Sequence, residues 1–140
     1  MAYDPENIFA RMLKGEIPCH KIYEDEDTLA FLDIMPMSHG HTLVITKTPA
    51  ENLFDVSPEA LVKTVRVVQK LAPKIRDAVG AEGVLIQQYN GTAAGQTVFH
   101  LHFHIIPRKA SEPLKGHARD MADQKELAAL AERLRSAVAD

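Results

Sequence analysis

Residues 98–106 limit what this chain can fold into more than any other stretch. There Val98, Phe99, His100, Leu101, His102, Phe103, His104, Ile105 and Ile106 alternate imidazole with large apolar side chains. Successive side chains of a β-strand point to opposite faces, so this alternation predicts a strand with His100, His102 and His104 in one row. Phe99, Leu101, Phe103 and Ile105 then face a core. A helix would turn each histidine about 200° from the previous one and destroy the row. The expected strand is half buried, with its exposed face carrying groups that titrate near neutral pH.

At 140 residues the chain is long enough for one domain with a real core. A net charge of −3 gives no global attraction for nucleic acid or an anionic membrane, and neither is expected as a partner. Cys19 is the only cysteine, which excludes an intramolecular disulfide and a cysteine-based zinc cluster and fits a reducing, cytoplasmic compartment. Its expected role is that of a small apolar filler. The acidic start through Asp4 and Glu6 is not expected to act as an export signal, and no stretch has the roughly 18 to 20 apolar residues of a membrane span.

Taken in order, residues 6–14 read as a short helix capped by Asp4 or Asn7 and stopped at Gly15. Residues 20–24 and 28–33 read as strands of a hairpin turned by Asp25, Glu26 and Asp27. Residues 41–46 resume a strand rich in β-branched residues. Ser57 and Pro58 start a long amphipathic helix with an apolar stripe of Leu61, Val65, Val68, Ala72, Ile75 and Val79, which Pro73 should kink or break. Residues 83–90 form a strand, and a loop of small residues returns the chain to the histidine strand. A C-terminal helix within about 118–139 carries Leu127, Leu130, Ala131, Leu134 and Val138, a stripe that could pack on the domain or on a second subunit. This order predicts a single α+β domain with a mostly antiparallel five-stranded sheet, its core spanning about 6–108.

Three histidines on one strand face, with His41 as a candidate fourth, allow two chemistries. They can share a metal such as zinc, or one neutral imidazole can attack phosphorus while its neighbours orient it and bind oxygens. The loop from Asn90 to Thr97 favours phosphate. Gly91 and Gly95 permit backbone amides to converge on an anion, and Asn90, Gln96 and Thr97 add neutral donors. His20, His39 and His117 read as structural or surface residues.

The segment from His100 to Ile106 resembles the triad of the histidine-triad (HIT) family. Ile17-Pro18, Tyr23-Glu24-Asp25, residues 30–34, Pro36, residues 40–45 and Lys47 are similar to its Hint-like branch, especially its small bacterial members. The resemblance covers about residues 6–108. It implies a nucleotide hydrolase or transferase acting at the α-phosphate, in a homodimer whose sheets are continuous. By motif position His102 is the nucleophile, His104 contacts the phosphate and the departing group, and His100 and His41 support the array. Thr97 stands where the family usually has a serine. Asn90, Gly95, Gln96 and Val98 would hold phosphate oxygens and Asp33 the ribose hydroxyls, with Ile8, Phe9, Met12, Phe31 and Ile34 around a purine base.

The implied substrates are purine nucleoside phosphoramidates, adenylylated amines or related esters and anhydrides, giving an AMP- or GMP-type product with no cofactor required. Dinucleoside polyphosphate hydrolysis, or a nucleotide-binding interaction protein with incidental activity, are the alternatives. Many bacterial relatives carry two cysteines near residues 7–10 and a histidine after Lys47 that hold a structural zinc. Ile8, Ala10, Thr48 and Pro49 stand at or beside those places here, so no metal is expected.

Overall fold

The computed structural model describes residues 3–113 and 121–139. Helix α1 (Ile8–Leu13) is capped by Asn7, whose side-chain oxygen accepts the Ala10 amide at 2.9 Å. Strands β1 (Lys21–Glu24) and β2 (Thr28–Leu32) form the expected hairpin. Its turn is closed by Asp25, which accepts the Asp27 and Thr28 amides at 2.8 Å and the Thr28 hydroxyl at 2.7 Å. Strand β3 (Thr42–Thr46), helix α2 (Pro58–Ala78), strands β4 (Gly83–Gln87) and β5 (His102–Arg108), and helix α3 (Gln124–Val138) follow. The five strands form one antiparallel sheet in the order β1-β2-β3-β5-β4, so the α+β class is as expected.

Helices α2 and α3 cover one face. Leu71, Ile75, Leu127, Leu130, Ala131 and Leu134 meet Ile22, Ala30, Leu32, Val44 and Ile105 in one large cluster. The stripe of α3 is therefore spent on its own domain. The opposite face carries a smaller cluster in which Phe9 of α1 packs with Leu29, Phe31, Leu43 and Ile45.

Several expectations need correction. The buried face of α2 is Ala60, Thr64, Val67, Val68, Leu71 and Ile75, and Val65 is exposed. Val and Leu occur on two sides of this helix, so apolar spacing alone could not choose between them. Pro73 does not interrupt α2: its ring lies on the exposed side, where the Gln69 carbonyl it leaves without a donor can turn to water. Strand β4 stops at Gln87, before Asn90. Strand β5 begins at His102, so His100 stands outside the ladder. The histidine face is covered rather than exposed, because α1 and the segment before it fold over it: His100 is 0% and His102 9% exposed. Residues 118–120 and His117 lie outside the described residues.

Candidate active site

Gly40 sets the approach to the first histidine of the site. Its φ is +92°, and a Cβ there would stand 3.0 Å from Val79, so only glycine fits. His41 follows, buried at the start of β3. Its Nδ1 accepts the Met37 amide at 3.0 Å, which places the ring proton on Nε2. That Nε2 lies 2.9 Å from His104 Nδ1 and 3.6 Å from Asp33 Oδ2. His41 therefore donates to His104, and His104 carries its own N–H on Nε2.

The other two rings are fixed in the same way. His100 donates from Nε2 to the Thr46 carbonyl at 2.6 Å and accepts at Nδ1 from the Tyr3 hydroxyl at 2.6 Å. His102 donates from Nδ1 to the His100 carbonyl at 2.6 Å. Its Nε2 is left unprotonated. Burial holds His41 and His102 at about 4, below the 6.5 of an open imidazole, and pushes His100 down as well. These three rings are neutral at pH 7. His102 thus presents an unprotonated ring nitrogen within a cluster of imidazoles: its ring centre is 5.1 Å from that of His104, and Phe9 stands edge-on to it at 4.9 Å.

The loop before the triad is braced by its own polar groups. Gly91 and Gly95 take φ of +94° and +100° around a 3-10 turn. The Gly95 and Gln96 amides donate to the Thr92 and Gly91 carbonyls, so they close the loop rather than open toward an anion. The buried Gln96 side chain donates to the Glu51 and Val98 carbonyls and accepts from Asn52 and the Gly91 amide. Asn90 accepts the Leu53 amide and pairs with Gln88. Thr97 is exposed and Val98 packs against the smaller cluster.

Phe9, Met12 and Phe31 come together on the histidine face, with Ile8 39% exposed at their margin. Ile34 does not join them, since it packs with the helix-side core. Asp33 accepts the Met35 amide at 2.8 Å through Oδ1, with Oδ2 turned to His41. A cavity of about 260 Å³ opens at this end of the sheet between the Asp33–His41 loop and α3, sharing Asp33 and His41 with the site. Exposed His39 lines it too, and His20 hydrogen-bonds Gln124 at 2.8 Å. Sequence reasoning missed Tyr3 and Met37. Tyr3 is distant in the chain from its partner, and Met37 contributes only a backbone amide, so neither leaves a side-chain pattern.

Donor atoms of Asp33, His41 and His104 lie within 4.8 Å of one another and are the one candidate metal set found among the described residues. The Met37 contact counts against it, because a cation at His41 Nε2 would need the proton moved to Nδ1, where another donor already points. The places of the cysteine-bearing relatives' zinc ligands do not fit that metal either, since Ile8, Ala10, Thr48 and Pro49 supply no sulfur or imidazole.

Fold and site together define an α+β protein that holds neutral imidazoles buried on one sheet face. The HIT domain family model matches residues 14–111, and the chain belongs to the histidine-triad family, in its Hint-like branch. "Protein hit" of Bacillus subtilis is 48% identical over 101 residues, 72% of this chain and 70% of that protein. "Adenosine 5'-monophosphoramidase hnt1" of Schizosaccharomyces pombe is 43% identical over 75% of this chain and 76% of its own length. "Adenylylsulfatase HINT3" of Arabidopsis thaliana is 39% identical over 79% of this chain, which spans only 59% of that protein. The crystal structure of a Hit-like protein of Bartonella henselae, said to be involved in cell-cycle regulation, superposes with a TM-score of 0.92 at 42% identity. It covers 98% of this chain and 99% of the other. The chain is a Hint-like nucleotide hydrolase of the histidine-triad family.

Proposed function

We propose that this protein hydrolyses purine nucleoside phosphoramidates or adenylylated amines through a covalent nucleotidyl-histidine on His102. The observation that carries the reading is the 2.6 Å hydrogen bond from His102 Nδ1 to the His100 carbonyl, which leaves Nε2 unprotonated among neutral imidazoles. In the first step the Nε2 lone pair attacks the α-phosphorus. A phosphorus–nitrogen bond forms to His102 as the bond to the leaving amine breaks. His104 Nε2–H stands as the hydrogen-bond donor to the phosphate oxygens and the departing amine, its ring held by His41 at 2.9 Å, and the amine takes its proton from solvent. Water then attacks phosphorus and gives up a proton to solvent, the bond to His102 breaks, and the nucleoside monophosphate leaves.

Phe9, Met12, Phe31 and Ile8 offer the base an apolar seat. Asp33 is the acceptor for ribose hydroxyls, and Thr97 with the Val98 amide lies nearest the leaving group. No cofactor enters these steps. Two copies would join through β4, an edge strand that carries the exposed Ile86. Among the described residues no helix is long and apolar enough to cross a membrane.

The test is rapid quenching with an adenosine phosphoramidate followed by mass spectrometry. A nucleotidyl adduct on His102 is expected, with turnover unchanged by a chelator. Nucleotide binding without any adduct would instead make the protein a binding module, and turnover lost on chelation would revive the Asp33–His41–His104 metal set.

A further inference from the structure

His100 belongs to the histidine row in sequence but not to the ladder in space. The β3–β5 register starts at His102, opposite Ile45, so residue 100 depends on other anchors. The next residue, Leu101, donates its amide to the Ala50 carbonyl at 2.9 Å. The His100 ring, fully buried, is held at both nitrogens: Nε2 donates to Thr46, and Nδ1 accepts the Tyr3 hydroxyl at 2.6 Å. Tyr3 comes from the other end of the domain, 97 residues away in sequence, and its ring meets His100 edge-on at 5.6 Å. Burial raises the pKa of its hydroxyl, so it stays a donor at neutral pH.

We propose that Tyr3 is a positioning residue for His102: by filling the second nitrogen of His100 it locks that ring, and with it the carbonyl that holds His102 in its attacking tautomer. The kinetic part of this inference rests on the reading of His102 as the nucleophile. The physical reason lies in how little separates the two forms of a neutral imidazole. Nδ1–H and Nε2–H tautomers are close in energy unless a partner discriminates between them. For His102 the discriminating partner is the His100 carbonyl. Without the Tyr3 hydroxyl, the Nδ1 lone pair of His100 would be buried beside Phe9 without a donor, a costly state that the ring relieves by rotating, admitting water or taking up a proton. Each of these shifts residue 100, which no ladder pairing holds, and loosens the bond that keeps the His102 proton on Nδ1. Tyr3 itself acts through His100, so the effect falls on the chemical step rather than on nucleotide binding.

The experiment compares the 140-residue wild type with Tyr3→Phe, which keeps the ring and removes only the hydroxyl. Ring ¹⁵N NMR of the histidines is read beside steady-state kinetics with an adenosine phosphoramidate. In the wild type His100 is expected as the Nε2–H tautomer with a hydrogen-bonded Nδ1, and His102 as a single Nδ1–H tautomer. In Tyr3→Phe the His100 Nδ1 resonance should move toward that of an unbonded lone pair and His102 should become a mixture of tautomers. The loss of one neutral hydrogen bond should lower kcat up to about tenfold, with KM within about twofold.

An unchanged His102 ring spectrum in the variant overturns the proposal, as does a fall in KM-linked binding with kcat preserved. Should the variant be too unstable to study, the wild type still tests the proposal: a His100 protonated on Nδ1 would donate to the Tyr3 hydroxyl rather than accept from it, and would overturn the proposal. A wild type that turns over no nucleotide would sink the reading of His102 as nucleophile. The NMR comparison would still decide whether Tyr3 holds its tautomer.

Discussion

The two faces of the sheet are both buried, but by different means. On the helix side α2 and α3 press Leu71, Ile75 and Leu134 against Val44 and Ile105, and contact is non-directional. On the histidine side a six-residue helix and the segment before it cover polar rings, and hydrogen bonds at four ring nitrogens fix where protons sit. The first face tolerates small shifts at a modest cost. The second turns small shifts into a change of tautomer, and hence of chemistry. Stability and reactivity are thereby assigned to opposite sides of the same strands.

The largest expected effect that breaks this division lies on the histidine face. His102→Asn removes the attacking nitrogen and should lower turnover at least about a thousandfold, the scale seen when a covalent nucleophile is lost. Circular dichroism and nucleotide binding should be little changed, and turnover within tenfold of wild type would refute the nucleophile assignment. On the helix face Ile75→Ala should remove about 2–5 kcal/mol of stability in denaturant unfolding while leaving kcat per folded molecule intact. A matching loss of kcat would show that the faces are coupled.

Gly40→Ala tests the junction between them, since its Cβ would strain a +92° φ and press on Val79 of the segment after α2. A loss of about 1–3 kcal/mol is expected, with kcat reduced because His41 follows directly. The gentlest probe is pH. His41 and His102 have folded values of about 4, below the unfolded 6.5, so between these the unfolded state binds more protons. Stability should be full above about pH 6.5 and decline as the pH falls toward 4, and a thermal midpoint flat across that window would mean that the rings are not buried neutral.

Much of the fold was legible because periodicity reports which side of an element is covered. The alternation at Leu101 to Ile105, the acidic turn at Asp25 and the Ser57-Pro58 helix start all led to elements close to those observed. Periodicity failed where apolar residues lined two sides, as with Val65 and Val68 of α2. It also failed where polar residues were buried: from sequence, a row of histidines reads as a solvated face, since imidazoles are usually wet. The sequence named His41 and His104, which meet at 2.9 Å, but Gln96 and Asn90 were read as open donors when their amides are engaged in bracing the loop. Ile34 was placed with the base and lies with the helix-side core.

By itself the amino-acid sequence determined that His102 and His104 would share one side of a strand, because a strand's two-residue repeat is a property of the backbone alone. It determined the family on the same residues. The protonation pattern was decided only by the tertiary structure. Which nitrogen of each ring holds the proton depends on the Thr46 and His100 carbonyls, the Met37 amide and the Tyr3 hydroxyl. Most of these groups are backbone atoms, present at every residue and distinguished only by where the fold puts them.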